Sequence, residues 1–150
     1  MKRIFILLLF LGCFFNCWGQ ENGISLGDKV EKPLFNSGFS GILVNSSQFL
    51  PKRVKTIGDI FYTFATDKEN KVVFVSVSDE KFKIEGEKWI GKKVSELSKE
   101  YLIKKMPGWG FYVKINDTWR GLLSTKASNA NDTYTDQDTI ISVFQSVWAN

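Results

Sequence analysis

The sequence predicts an α+β fold: a mostly antiparallel sheet of about five or six strands packed against one main helix at about 93–106. Three stretches carry that prediction. Val72-Val73-Phe74-Val75-Ser76-Val77 is an almost continuous apolar run, the pattern of a central strand covered on both faces. Phe111 to Leu123 is split by Asn116-Asp117 and reads as a hairpin. Val94, Leu97 and Tyr101 fall at i, i+3 and i+7, with Leu102 widening the stripe and Pro107-Gly108 ending it, which is helical spacing with a stop signal.

The elements follow in chain order. Met1-Lys2-Arg3 precedes a run of large apolar residues from Ile4 to Phe15. That run is shorter than the roughly 20 residues a spanning helix needs and has the form of a secretory signal peptide over residues 1–19. Cys17-Trp18-Gly19 supplies small residues for cleavage before Gln20, while Gly12-Cys13 offers a rival route, lipidation at Cys13. Both routes export the chain. Removing residues 1–19 leaves 18 basic against 16 acidic residues, so a net charge of +4 becomes +2.

Residues 20–38 are polar, carry Gly23, Gly27, Pro33 and Gly38, and read as an extended lead-in to a single domain over 39–150. Gly41 to Val44 is a short strand. Val54, Ile57, Phe61 and Phe64 are spaced for a helix, but Ile60-Phe61-Tyr62-Thr63-Phe64 is β-branched and aromatic, so 59–66 is expected as a strand. Asp67 to Asn70 turns the chain into the 72–77 strand. Phe82 and Ile84 then alternate with lysines and Glu85 as a half-buried extended segment.

In the expected helix, Glu100 and Lys104 form a favourable i,i+4 pair. Ile90-Gly91-Lys92-Lys93-Val94-Ser95-Glu96-Leu97 resembles the glycine-then-helix element of small bacterial envelope lipoproteins of the BamE-like kind. The resemblance covers eight residues, Lys93 stands where that family has Thr or Ser, and it implies no function here. A two-residue loop at Asn116-Asp117 would pair Ile115 with Thr118, Lys114 with Trp119 and Val113 with Arg120. Tyr112, Trp119 and Leu123 would then share one sheet face. Thr139 to Trp148 is the last strand, with Ile141, Val143 and Val147 alternating against serines.

Composition filters function. The chain has no histidine, and its two cysteines, Cys13 and Cys17, lie in the N-terminal run. From Gln20 onward there is no material for a histidine-dependent nucleophile, a Cys/His zinc site or a disulfide framework. No cofactor motif is present, and none is expected. Lys52-Arg53-Val54-Lys55 is the densest basic cluster, too little for a nucleic-acid footprint.

Three groups of residues remain as candidates. Trp109, Tyr112 and Trp119 would form an aromatic patch of the kind that contacts proteins or carbohydrates, set against the plainer reading that they pack. Asp132, Asp136 and Asp138 form the one oxygen-rich cluster, but it lacks the glycine and bidentate Glu of an EF-hand loop and reads more simply as a solvated loop. Glu85 and Glu87, two apart on an extended segment, could serve as paired carboxylates, although their lysine and glycine neighbours suit an exposed turn.

The leading expectation is an exported, non-enzymatic domain in the periplasm, at the envelope or outside the cell, which binds a partner, first of all another protein and otherwise an envelope component, in an inhibitor-like, immunity-like or structural role. A carboxylate-based polysaccharide hydrolase using some of Glu85, Glu87, Asp132, Asp136 and Asp138 is the alternative. A carrier of a small apolar ligand is the third.

Overall fold

Strands dominate because β-branched and aromatic residues come in short runs separated by turn-forming glycine, asparagine and aspartate. The computed structural model describes residues 23–31, 40–44, 48–106, 108–126 and 132–148. The strands are β1 Gly41–Leu43, β2 Phe49–Pro51, β3 Arg53–Ile57, β4 Ile60–Thr66, β5 Val72–Val77 and β6 Lys83–Ile84, then β7 Glu87–Lys88, β8 Ile103–Met106, β9 Gly110–Lys114, β10 Arg120–Leu123 and β11 Ile140–Ser146. Seven of them form one sheet in the order β3-β4-β5-β11-β10-β9-β8, and β1-β2 and β6-β7 are separate two-stranded pieces. Every pairing is antiparallel. Among the described residues no helix is long and apolar enough to cross a membrane. The expected signal segment, with Cys13, lies outside the described residues.

The α+β expectation is therefore corrected: the described residues form a nearly all-β, sandwich-like fold, and among them there is no main helix. Within 93–106 there is one 3-10 turn, Val94–Glu96, followed by strand β8. Of the apolar stripe, Val94, Leu97 and Tyr101 pack against the core, whereas Leu102, expected to widen it, is 55% exposed. The backbone does not follow a helix because the second half pairs as a strand, Ile103 opposite Val113 through to Met106 opposite Gly110 on β9, while the first half is tied to the 136–140 segment. Gly91 N donates to Ile140 O, Val94 N to Asp138 O and Ser95 N to Asp136 O, at 2.8, 2.8 and 3.1 Å. A short helix is marginal unless packing sustains it, and here the pairing of β8 with β9 takes the backbone groups that the helix would have used. The BamE-like resemblance loses its helix with them.

Both sheet faces are covered, by different means. On the first, Tyr62, Phe64, Val75, Val77, Val113 and Val143 meet Ile24 from the lead-in and Ile84 and Trp89 from the β6-β7 region. On the second, Ala65, Phe74, Tyr112 and Phe144 are capped by Val44, with Ile42 and Leu50 of β1-β2 alongside. β5 lies between β4 and β11 and sends Val75 and Val77 one way and Phe74 the other, as its unbroken apolar run predicts. β11 departs from simple alternation. Leu122 pairs with Ser142 but Leu123 with Ile140, and the skipped Ile141 bulges outward, 46% exposed. Ile140 takes the buried place instead.

Candidate functional site

Three hairpin ends meet around one open cleft on the first face, with a volume of about 650 Å³. The β3–β4 turn supplies Gly58 and Asp59. Gly58 has φ +60° between the paired residues Ile57 and Ile60, the positive φ at the first central position that a II′ turn requires. The β6–β7 turn supplies Glu85, where Glu85 and Gly86 have φ +54° and +83°. Two successive residues at positive φ make a I′ turn, whose backbone twist matches the strands it joins. The β9–β10 loop supplies Asn116, Thr118 and Trp119.

That last loop is longer than its sequence suggests. Lys114 pairs with Arg120, Val113 with Gly121 and Tyr112 with Leu122, one residue away from the register of a two-residue loop. Asn116 explains the shift. Its Oδ1 accepts from Thr118 N at 3.0 Å and from Trp119 N at 2.8 Å, and Trp119 O accepts from Ile115 N at 3.0 Å. Shifting a strand by one residue moves every side chain to the other face. Trp119 thereby joins the first face, where its ring centroid lies 5.1 Å from Phe82, while Tyr112 stays on the second.

The cleft combines an aromatic wall with a polar rim. Phe82 stands edge-on to Tyr62, 6.1 Å between centroids. Tyr62 is only 6% exposed, and burial pushes its phenol above the usual range. Gly23 brings the lead-in against Tyr62; a Cβ there would sit 2.7 Å from its Oη. On the rim, Lys81 Nζ donates to Asp59 Oδ2 at 2.6 Å. That hydrogen bond, with the lysine's charge, holds the Asp59 carboxyl below its ordinary value and raises Lys81. Asn116 Nδ2 donates to Glu85 Oε1 at 3.0 Å, linking two of the hairpin ends. The lining carries two carboxylates, Asp59 and Glu85, and two lysines, Lys81 and Lys83, a balance of charge.

The structure disperses the other sequence candidates. Trp109 lies on the second face, half-buried against Phe74 at 5.4 Å and Phe144 at 5.2 Å. Tyr112 is buried there, 6.1 Å from Phe144. Of the glutamates, Glu85 lines the cleft, whereas Glu87 is paired with Lys92 and is absent from its lining. Asp132 and Asp136 use backbone carbonyls to accept from Lys105 Nζ and Ser95 N, both at 3.1 Å.

Asp138 is buried and structural in its contacts. Its carboxylate accepts from Thr125 Oγ1, Ser124 Oγ at 2.7 Å, and Thr135 N and Oγ1 at 2.7 and 3.0 Å. The Thr125 hydrogen bond leads in lowering its pKa to about 2, against the opposing effect of burial. Among the described residues no three histidine, cysteine or acidic side chains gather as a metal-binding group.

A smaller groove of about 310 Å³ on the second face is lined by Lys104, Tyr112, Lys114, Asp117 and Arg120. Arg120 is buried, and its Nη1 donates to the carbonyls of Asn116 and Asp117 at 3.3 and 3.1 Å, which fastens the loop that carries Trp119.

Of the residues that build the cleft, local pattern marks Trp119 and Glu85 as candidates but not Tyr62, Phe82, Asp59 and Asn116. A partial signal for Asp59, Tyr62 and Phe82 was the pair of short glycine-containing turns, Gly58-Asp59 between Ile57 and Ile60 and Glu85-Gly86 after Phe82 and Ile84. No protein-family model, no curated protein and no solved structure matches this chain.

Proposed function

We propose that the protein is a non-catalytic binding domain, exported by its N-terminal segment, that engages a component of the envelope or extracellular space through the Tyr62–Phe82–Trp119 cleft. One observation carries this reading: the ends of three hairpins, far apart in sequence, converge on a cleft with an aromatic wall and a polar rim. Recognition sites combine these ingredients, apolar surface for affinity and a few fixed polar groups for orientation. Rigid hairpins hold them in place without a ligand.

Hydrolysis draws less support. Of the five carboxylates considered for it, only Glu85 lines the cleft, and glycoside cleavage by the usual route needs an acid and a second carboxylate on either side of one bond. Asp59 also lines the cleft, but it is tied to Lys81. An apolar-ligand carrier would need an enclosed apolar cavity, and this cleft is open with a charged rim.

The test uses the indole N–H signals of the protein in nuclear magnetic resonance spectra recorded with solubilised native envelope. Selective perturbation of Trp119, with Trp89 and Trp109 unchanged, is the expected result. No perturbation, or changes centred on Trp109, would overturn the reading. The intact mass of the exported protein tests processing: loss of residues 1–19, or a lipid on Cys13, supports export, and an unprocessed chain argues against it.

A further inference from the structure

Resting on the reading of this cleft as a binding site, we infer that its occupant is a neutral glycan. Three features of the lining point to that chemistry together. The first is the aromatic wall. Trp119 is half-buried beside Phe82 at 5.1 Å, so part of its ring surface faces solvent at the cleft while the rest is fixed by packing. A sugar ring presents patches of C–H that can lie on such a surface, and a ring held in advance loses little freedom on binding.

The second feature is the type of polar group. Asp59, Glu85 and Asn116 are planar side chains that accept in the plane of their oxygens, and the Asn116 amide also donates. Each is already held in place, Asp59 by Lys81 at 2.6 Å and Glu85 by Asn116 at 3.0 Å. A carboxylate retains further acceptor positions after one such bond, and a sugar hydroxyl can donate into it. Tyr62 adds a phenol, and Ser25 and Thr118 add hydroxyls to the same lining. Hydroxyl-bearing ligands suit this mixture of donors and acceptors.

The third feature is charge. The lining holds Asp59 and Glu85 against Lys81 and Lys83. An anionic ligand would face the two carboxylates, and a cationic one the two lysines. Neither sign is favoured, so an uncharged occupant is selected. An apolar peptide side chain, though neutral, would leave the rim carboxylates desolvated without a new partner, which is costly. At about 650 Å³ the cleft is within the range of small-ligand sites and has room for a short saccharide rather than a single hydroxyl group.

The experiment titrates the intact exported protein with three neutral hexasaccharides, of glucose, mannose and N-acetylglucosamine, and with hexagalacturonate as the anionic counterpart. The readout is the Trp119 indole signal. At least one neutral probe is expected to shift it saturably, with an affinity unchanged between about 50 mM and about 500 mM NaCl, because no ion pair is formed. Trp119→Phe, which keeps a ring but loses the indole N–H, and Glu85→Ala, at an exposed turn, should each weaken binding at least about tenfold, measured by calorimetry. Both variants are checked for folding by circular dichroism, and Glu85→Ala remains informative if the aromatic variant does not fold.

Each other outcome overturns the inference in a distinguishable way. If no neutral probe shifts Trp119 but solubilised envelope does, the glycan inference falls and the cleft remains a binding site for something else. If neither acts there, both fall. Salt-sensitive binding of hexagalacturonate alone identifies an anion as the ligand, and neutral-sugar binding insensitive to Glu85→Ala places the sugar outside this cleft.

Discussion

Lys114 stands directly opposite Arg120 on the β9–β10 ladder, so two cations share one cross-strand position. Like charges there are ordinarily unfavourable. Lys114 is relieved by Asp117, whose Oδ1 accepts from its Nζ at 2.9 Å, and Arg120 by the carbonyls of the loop. Loop residues thus neutralise the register that the loop itself imposes, and Asn116 is the residue on which that register depends.

Replacement of Asn116 is expected to act at two levels. Asn116→Ala removes the acceptor for Thr118 N and Trp119 N and the donor to Glu85. At about 1 kcal/mol for each backbone bond lost, stability should fall by roughly 2 kcal/mol. Urea unfolding measures this, and broadening of the Trp119 indole signal would report the loosened loop. An unchanged midpoint would show that backbone pairing alone sets the register.

Trp109 should behave as a packing residue. It touches Phe74 and Phe144, the latter 1% exposed. Trp109→Ala is expected to destabilise by about 2–3 kcal/mol, less than for a fully buried aromatic because Trp109 is only half-buried. Thermal unfolding checks this, and ligand binding at the cleft on the other face should persist in the folded fraction.

Gly121 leaves little space for a methyl group. A Cβ there would meet Val113 Cγ1 at 3.0 Å and two Ile140 carbons at 3.1 Å, and both residues are almost wholly buried. Gly121→Ala should therefore destabilise by about 1–3 kcal/mol through overpacking, despite alanine's lower chain entropy in the unfolded state. A stability equal to or above that of the parent in denaturant would refute this.

Asp138 makes stability depend on pH in a stated direction. Its folded-state pKa of about 2 lies below the ordinary 3.8. Its contribution is complete above about pH 4 and is lost as pH falls towards 2; it is on the order of 2 kcal/mol. Asp138→Asn should lower stability near neutrality and flatten the acid limb of the profile between pH 4 and 2. Urea midpoints measured across that range decide it, and an acid limb as steep as the parent's would exclude Asp138 as its source.

Local pattern was a sound guide wherever one short stretch decided the outcome. The Val72–Val77 run became a two-face strand, Ile60-Phe61-Tyr62-Thr63-Phe64 resolved as strand over helical spacing, and the absence of histidine and of later cysteines narrows the chemistry of any site from Gln20 onward. The stripe at 94–101 was read correctly as core-facing and wrongly as helix, because apolar spacing reports which residues are buried and not where their amides find partners. For Ile103–Met106 those partners are on β9, and the Val94 and Ser95 amides reach Asp138 and Asp136, some 40 residues away in the chain.

The site was less legible for the same reason. Trp119 was visible as a candidate, but its face depended on a shift of one residue set by a side-chain oxygen of Asn116. Tyr62 and Phe82 looked like ordinary strand residues until β3-β4, β6-β7 and β9-β10 were brought to one place. The sequence by itself determined where strands form and which reactive groups the chain possesses, since propensity, periodicity and composition are local properties. Only the tertiary structure decided register, which face each aromatic occupies and which hairpin ends meet, because those follow from long-range pairing between segments that carry no mark of one another.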